Sequence, residues 1–229
     1  MSPAQARAAG IDVGLRQYML QVYNYMASGL ALTGIVAYLV ASSEAMTKAI
    51  FGTPLFWVVA LAPLALVFFL SFRIQHMKAS TAQAVFWIFS VLMGLSMASI
   101  FLQFTGTSIA RVFFIAAGTF AGMSLYGYTT KRDLSGWGSF LFMGLIGVII
   151  ASIVNIFLQS SAMQFVISVI GVLVFVGLTA YDTQKIKAMY LQSDGSETYT
   201  KKAIMGAVTL YLDFINLFIM MLHLFGDRR

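Results

Sequence analysis

Seven apolar runs, each about 20 residues long, dominate this sequence. A helix that crosses the hydrocarbon core of a bilayer needs roughly 20 predominantly apolar residues. The runs cover residues 22–41, 54–72, 82–104, 112–128, 137–158, 163–181 and 203–225. They predict an all-α, polytopic membrane protein with seven transmembrane helices.

The composition agrees with a lipid environment. Of the 229 residues, 60% are hydrophobic and 10% are charged, and the mean hydropathy is +0.87. Soluble domains carry about 25% charged residues, so a soluble core is excluded. The absence of cysteine excludes disulfides, zinc–thiolate sites and a catalytic cysteine.

The basic residues lie in short loops, where they orient spans and do not indicate nucleic-acid binding. Ten fall on one predicted side, namely Arg7, Arg16, Arg73, Lys78, Lys131, Arg132, Lys185, Lys187, Lys201 and Lys202. Four fall on the other, namely Lys48, Arg111, Arg228 and Arg229. This bias predicts a cytoplasmic N-terminal tail over residues 1–21, a transmembrane domain over 22–229 and an external C-terminus.

Asp213 lies near the middle of the seventh run. A carboxylate at that depth costs at least about 2.5 kcal/mol, so it normally faces protein or a wet cavity. Thr209 and Asn216 lie on the same helical face, at i−4 and i+3. We therefore expect a polar stripe on the seventh helix that neighbouring helices cover.

Asp182 follows the sixth run, but the apolar pattern continues through Ile186, Met189 and Tyr190. A helix extended to about Leu191 would carry Asp182 toward the level of Asp213, because consecutive spans are antiparallel. The two acids are then partners. In the simpler alternative, each acid only hydrogen-bonds a neighbouring helix, or Asp182 lies among the lipid headgroups.

Two carboxyl groups in contact at low dielectric share a proton and titrate as a coupled pair. Protonated, the pair is a nearly neutral clamp between two helices. Ionised, it must separate, recruit an arginine or bind a hard cation such as Ca²⁺. The pair is thus a candidate pH-sensitive gate and a candidate weak calcium site.

The segments "AYDTQKI" and "LYLDFINLF" resemble the paired signature of the Bax inhibitor-1 family, and "RVFFIAAGTFAGMSLYGYTTKRDLSGWGSFL" is similar to its bacterial branch. The resemblance covers essentially the whole chain. It implies a fold in which the seventh helix is central and six others surround it. It also implies a pH-sensitive calcium leak of the bacterial inner membrane, gated by Asp182 and Asp213.

The family also places an arginine of the second helix near the acids as a latch, and Arg73 is the basic residue at that position. Arg73 is equally an ordinary cytoplasmic anchor. Asn155 is a second polar candidate for the surroundings of the pair. The resemblance implies no cofactor; the bilayer, protons and Ca²⁺ are the expected partners, and we expect a monomeric conducting unit.

Two other function classes are open. An intramembrane aspartyl protease also carries acids on consecutive spans, but its second acid lies in a Gly-x-Gly-Asp turn, which "LYLD" lacks. No proline follows Pro63, so the Pro-Ala-Leu element of such proteases is absent. A membrane scaffold that binds other membrane proteins is the remaining alternative. We expect a protein that is not an enzyme.

Overall fold

The computed structural model describes residues 12–229. Over that range the chain forms eight α-helices. They are α1 (Val13–Ala41), α2 (Glu44–Phe51), α3 (Leu55–Arg73), α4 (Ala79–Gln103), α5 (Gly106–Thr129), α6 (Ser135–Leu158), α7 (Ser161–Ala188) and α8 (Ser196–Phe225). All except α2 are long and apolar enough to cross a membrane, α3 together with the 3₁₀ turn that follows it. The prediction of an all-α fold with seven spanning helices is confirmed.

The first helix begins earlier than its apolar run. It starts at Val13, where the Asp12 carboxylate accepts a hydrogen bond of 2.9 Å from the backbone N–H of Leu15. Such an N-cap satisfies one of the free donors at a helix start. Residues 13–21 of the expected tail are therefore helical, while residues 1–11 lie outside the described part of the chain.

The short helix α2 was not predicted. Ser43 caps it, and Glu44 forms an ion pair of 2.6 Å with Lys48 one turn later. Its eight residues are too few for a spanning run, so a hydropathy argument overlooks them.

The chain divides into two compact units. The first unit contains residues up to Phe101 together with Lys187–Tyr211. One hydrophobic cluster in this unit joins Val40, Ile50, Val59 and Ala98, which belong to α1, α2, α3 and α4 in turn. This cluster packs the short helix α2 against three spanning helices.

A polar chain also lies within the first unit. The Thr33 hydroxyl donates to the backbone carbonyl of Ser90 at 2.8 Å, and the Tyr211 hydroxyl lies 2.6 Å from it. Since Thr33 has one proton to donate, Tyr211 is the donor in the second bond. All three residues are buried, so each satisfies its partner where water is absent.

The second unit contains Leu102–Ile186 and Leu212–Arg229. Phe214 on α8 makes edge-to-face contacts with Phe113 and Phe120 on α5. After α8, the Asp227 carboxylate accepts hydrogen bonds from Ser108 and Arg111. These contacts fasten the end of the chain to the start of α5.

Helix α8 contributes to both units and is the most buried of the seven. In its most apolar stretch 67% of the residues are buried, against 17–39% in the others. Such burial is expected of a helix whose neighbours are protein rather than lipid.

Small residues let α7 approach its neighbours within the second unit. A Cβ at Gly127 of α5 would collide with the backbone carbonyl of Ala180 on α7. A Cβ at Gly138 of α6 would lie 2.6 Å from Cζ of the Tyr181 ring. Glycine at helix interfaces permits this close approach of backbones. Both contacts lie within five residues of Asp182 along α7.

We expect Gly127→Ala to destabilise the protein by about 1–3 kcal/mol, because the added methyl has no space against a backbone atom. Thermal unfolding in detergent micelles measures the effect. Gly118→Ala on the same helix is the matched control, because a Cβ there meets no atom within 4 Å. The control should be neutral or stabilising by up to about 1 kcal/mol, since alanine is the better helix former. Equal unfolding temperatures for both variants would contradict the close contact.

Candidate functional site

Asp182 lies within α7, which continues to Ala188. The helix therefore extends past the apolar run that ends at Tyr181. Thr183 and Ile186 beyond the acid are both buried. Protein contacts thus sustain the last turns of α7, and Asp182 is half-buried in them rather than placed in a loop.

Asp213 lies in the interior of α8 and is only 5% exposed. The carboxyl groups of Asp213 and Asp182 are close enough to interact with one another. The second oxygen, Oδ2, has no hydrogen-bond partner among the described residues. The structure thus brings the two acids together within one compact unit, with Asp213 as the deeper member.

A hydrogen bond between two carboxyl groups requires a proton. An ionised carboxylate only accepts hydrogen bonds, whereas a protonated carboxyl can donate one. The structure places one acid of α7 beside one acid of α8. A single proton held between them would join the two helices.

The two helices are antiparallel where the acids meet. A Cβ at Gly171, eleven residues before Asp182, would lie 2.8 Å from Cγ of Met220, seven residues after Asp213. Moving backward along α7 thus corresponds to moving forward along α8. This is the direction expected for consecutive spans.

Two hydroxyl groups lie next to Asp182 in the chain or pack against that part of α7. The hydroxyls of Ser124 on α5 and Thr183 on α7 are 2.9 Å apart, and both residues are buried. Thr183 also donates to the Thr179 carbonyl at 2.7 Å, so Ser124 is the donor between the two hydroxyls. This bond holds α5 on α7 beside the acid.

Lys185 is a charged residue near the pair whose role sequence reasoning overlooked. It follows Asp182 by three residues on α7 and interacts electrostatically with it. Its ammonium lies 6.0 Å from the centre of the Tyr181 ring. The i, i+3 spacing could have identified it, since residues at that spacing share a helix face. Counted only as a positive-inside residue, it was not assigned to the site.

The two polar residues predicted on the face of Asp213 bond within their own helix. Thr209 donates to the Met205 carbonyl at 3.1 Å, and Asn216 donates to the Leu212 carbonyl at 2.9 Å. Among the described residues, the side-chain hydrogen bonds of Thr209 and Asn216 thus go to their own helix and not to an acid.

Asn155 lies far from the acids. Its side chain accepts a hydrogen bond from the backbone of Ser160 and donates to Gln164, around the turn between α6 and α7. Gln164 and Asp182 are 18 residues apart on one helix, a rise of about 27 Å. The structure does not bring Asn155 to the pair.

Arg73 is the last residue of α3 and is exposed. The ion pairs within residues 12–229 are Lys48–Glu44, Arg111–Asp227 and Lys202–Asp194, so Arg73 takes part in none of them. Its role as a latch stays a prediction.

The described residues contain no group of three or more His, Cys, Asp or Glu side chains that could hold a metal ion. Ca²⁺ takes six to eight oxygen ligands, and tight sites supply several carboxylates. Any calcium at Asp182 and Asp213 would therefore be held by two acids and weaker oxygen ligands. Such a site would bind Ca²⁺ weakly and release it readily.

Comparison with known proteins identifies the family of this chain. The family described as "Inhibitor of apoptosis-promoting Bax1" matches residues 15–229. The chain belongs to this Bax inhibitor family.

Several bacterial proteins are similar to this chain over nearly their whole length. The inner membrane protein YbhL of Escherichia coli (strain K12) is 52% identical over 219 residues, which cover 94% of this chain and 94% of YbhL. RP147 of Rickettsia prowazekii (strain Madrid E) is 52% identical over 220 residues, 95% of this chain and 92% of RP147. A membrane protein of Streptococcus pyogenes serotype M1 is 38% identical over 218 residues, 94% of each chain.

This Bax inhibitor family member is thus a multi-pass membrane protein, like the relatives whose names describe membrane proteins. The direction in which its termini face stays a prediction from the distribution of basic residues.

We expect Asp182→Ala to destabilise this family member more than Asp182→Asn. Alanine leaves the buried carboxyl of Asp213 without its partner, at a cost of about 1–3 kcal/mol. Asparagine still donates and accepts hydrogen bonds at that position. Unfolding temperatures in one detergent, at one pH, measure the difference. Identical temperatures for the two variants would contradict a hydrogen bond that matters to the fold.

Proposed function

We propose that this protein is a pH-sensitive cation leak of the bacterial inner membrane, with Ca²⁺ as its substrate ion and the Asp182–Asp213 pair as its gate. The observation that carries the proposal is the juxtaposition of two carboxyl groups, one on α7 and one buried on α8. A hydrogen bond between them exists only while the pair holds a proton. The proton therefore decides both the charge of the site and the attachment of α7 to α8.

The proposed gate has two charge states. With a shared proton, the pair is a hydrogen-bonded clamp of reduced charge. Without the proton, two carboxylates face one another at low dielectric, where like charges repel strongly. They must then separate or bind a cation. Because Asp213 is buried, this change in charge takes place inside the protein, where it has the greatest effect on helix packing.

Weak ion binding suits transport. Conduction requires a site that attracts an ion but releases it readily. Two carboxylates supply hard oxygen ligands of the type Ca²⁺ prefers, but too few for tight retention. Both acids belong to one chain and one compact unit. These facts favour a single chain as the conducting unit, with protons and Ca²⁺ as its small partners.

The protease alternative receives less support. An aspartyl protease needs two acids that reach a water molecule and an unwound substrate. Here α8 is continuous from Ser196 to Phe225, and Asp213 is 5% exposed. An acid pair closed within continuous helices is better suited to gating than to peptide hydrolysis.

We expect purified protein in liposomes to pass Ca²⁺ at a rate that depends on pH. Asp182→Asn and Asp213→Asn should each flatten that dependence, because asparagine carries no titrating proton. A calcium-sensitive dye trapped in the liposomes measures the rate at a series of pH values.

Asp227→Asn is the matched control, since it removes an acid of the same unit that pairs with Arg111. It should leave the pH response unchanged. A response retained in both Asn variants would refute gating by the pair. Calcium entry no faster than in protein-free liposomes would refute the leak itself and favour the scaffold alternative.

We expect Lys185→Gln to move the midpoint of the pH response to higher pH. A positive charge beside Asp182 favours its ionised form, so removing the charge makes ionisation harder. Lys185 is exposed, so a shift of about half a pH unit is expected, in line with exposed ion pairs. The dye assay measures the midpoint, and exposed Lys78→Gln is the control. A midpoint that moves down or stays fixed would exclude Lys185 from the site.

A further inference from the structure

A groove in the second unit is not part of the acid pair. It has a volume of about 420 Å³ and lies between α5, α6, α7 and the loop that joins α5 to α6. This volume falls within the range of roughly 300–1,000 Å³ that small-molecule sites occupy. The groove is thus large enough to receive a ligand.

The walls of the groove are apolar and open on the outer surface of the helices. The exposed fractions of its lining side chains are 60% for Trp137, 64% for Phe140 and 68% for Leu173. Ala180 and Leu141 lie deeper and are buried. In a spanning bundle, such exposed apolar faces meet lipid chains. Trp137 near the start of α6 matches the tryptophans that mark the headgroup level of membranes.

One end of the groove is basic. Arg132 lines it, Lys131 precedes Arg132, and the Lys185 ammonium lies over the ring of Tyr181, which also lines the groove. All three basic side chains are exposed. None of them takes part in the ion pairs formed within residues 12–229. Arg132 and Lys131 are thus open to an anion from outside the protein, and Lys185, which also interacts with Asp182, is exposed beside them.

The loop that carries Arg132 is fastened to α7. The Gln184 amide donates to the Arg132 carbonyl at 2.8 Å and accepts from the Leu134 N–H at 2.8 Å. One side chain thus fixes the backbone on both sides of Asp133. The guanidinium is attached to a backbone that is held at the mouth of the groove.

Asp133 is the acid of this loop, and its charge is already engaged. Its carboxylate accepts a hydrogen bond of 2.8 Å from the Ser135 N–H at the start of α6. Hydrogen bonds from Ser135 lower the pKa of Asp133 below its usual value. The mouth therefore has three basic groups near one loop carboxylate, which is bonded to the first residue of α6.

We propose that this groove binds one anionic phospholipid of the surrounding leaflet, with an acyl chain along Phe140 and Leu173 and the phosphate at Arg132, Lys131 and Lys185. The apolar walls and the basic mouth match the two ends of such a lipid. A free phosphate would leave the apolar walls unfilled, and a zwitterionic lipid would leave the basic mouth uncompensated.

Tryptophan fluorescence tests the site directly. Trp57→Phe with Trp87→Phe leaves Trp137 as the reporter inside the groove, since the chain has 3 tryptophans. The protein is placed in phosphatidylcholine vesicles that contain a small fraction of phosphatidylglycerol. Brominated acyl chains, which quench tryptophan on contact, are carried by one lipid or the other. We expect brominated phosphatidylglycerol to quench Trp137 with about fivefold higher relative affinity than brominated phosphatidylcholine, the effect typical of a basic side chain at an anionic lipid.

The reporter control is the variant that keeps only Trp57, which is 65% exposed on α3 and lies outside the groove. It should show no headgroup preference. Arg132→Gln should lower the Trp137 preference about fivefold, whereas Lys78→Gln should leave it unchanged. Val176→Phe narrows the groove without a change in charge and should also reduce the preference. This last variant separates the groove from general surface attraction.

Equal quenching of Trp137 by the two lipids would overturn the proposal. A preference that survives Val176→Phe and Arg132→Gln would do so as well, because it would come from the surface as a whole. Loss of the preference on addition of inorganic phosphate would assign the basic mouth to a free anion instead. None of these readouts depends on ion flux. The experiment therefore tests the lipid site independently of the proposed leak.

Discussion

The juxtaposition of the Asp182 and Asp213 carboxyl groups is the interaction around which this part of the structure is organised. A carboxyl group at membrane depth is costly unless a partner satisfies it, and each acid lies where it can be the partner of the other. The juxtaposition relies on α7 remaining helical beyond its apolar run and on α8 being largely buried. Gly127 and Gly138 then bring α5 and α6 close to the same part of α7. Burying two acids is unfavourable by itself. Within its unit the pair is held in place by the packing of α5, α6 and α8 around α7.

Hydropathy predicted the seven spans because lipid imposes a minimum length on an apolar helix. It did not locate the true ends. Helix α1 begins at Val13, where a capping carboxylate compensates for polar residues, and α2 is too short to register as a span. At α7 the apolar run stops at Tyr181, yet the helix continues because Thr183 and Ile186 are buried against protein. Helix ends follow from capping and contacts, which a hydropathy window does not contain.

The proximity of the two acids could be predicted from sequence, because depth and helical period both single out Asp213 and antiparallel succession brings Asp182 to its level. Their polar surroundings could not be identified as well. A threonine or asparagine side chain on a helix can hydrogen-bond either a carbonyl of its own helix or a group on a neighbouring element. Thr209 and Asn216 both donate to carbonyls of their own helix. Asn155 forms its hydrogen bonds around the turn before α7. These bonds depend on the geometry of the loop. The i+3 spacing from Asp182 would have indicated Lys185 as a neighbour of the acid. It was instead interpreted as one of the basic residues near the loop that orient the spans.

The acid pair and the proposed lipid groove lie on different faces of one short stretch of α7. Successive residues on a helix point about 100° apart, so Tyr181 contacts Gly138 and lines the groove, while Asp182 contacts Asp213 on α8. A rotation of α7 that separated the carboxyl groups would also move the Tyr181 ring, which lies against Gly138. A lipid bound in the proposed groove would oppose such a rotation if it bound one arrangement of α7 better than the other. The proposed gate and the proposed lipid site would then be coupled through a single helix turn.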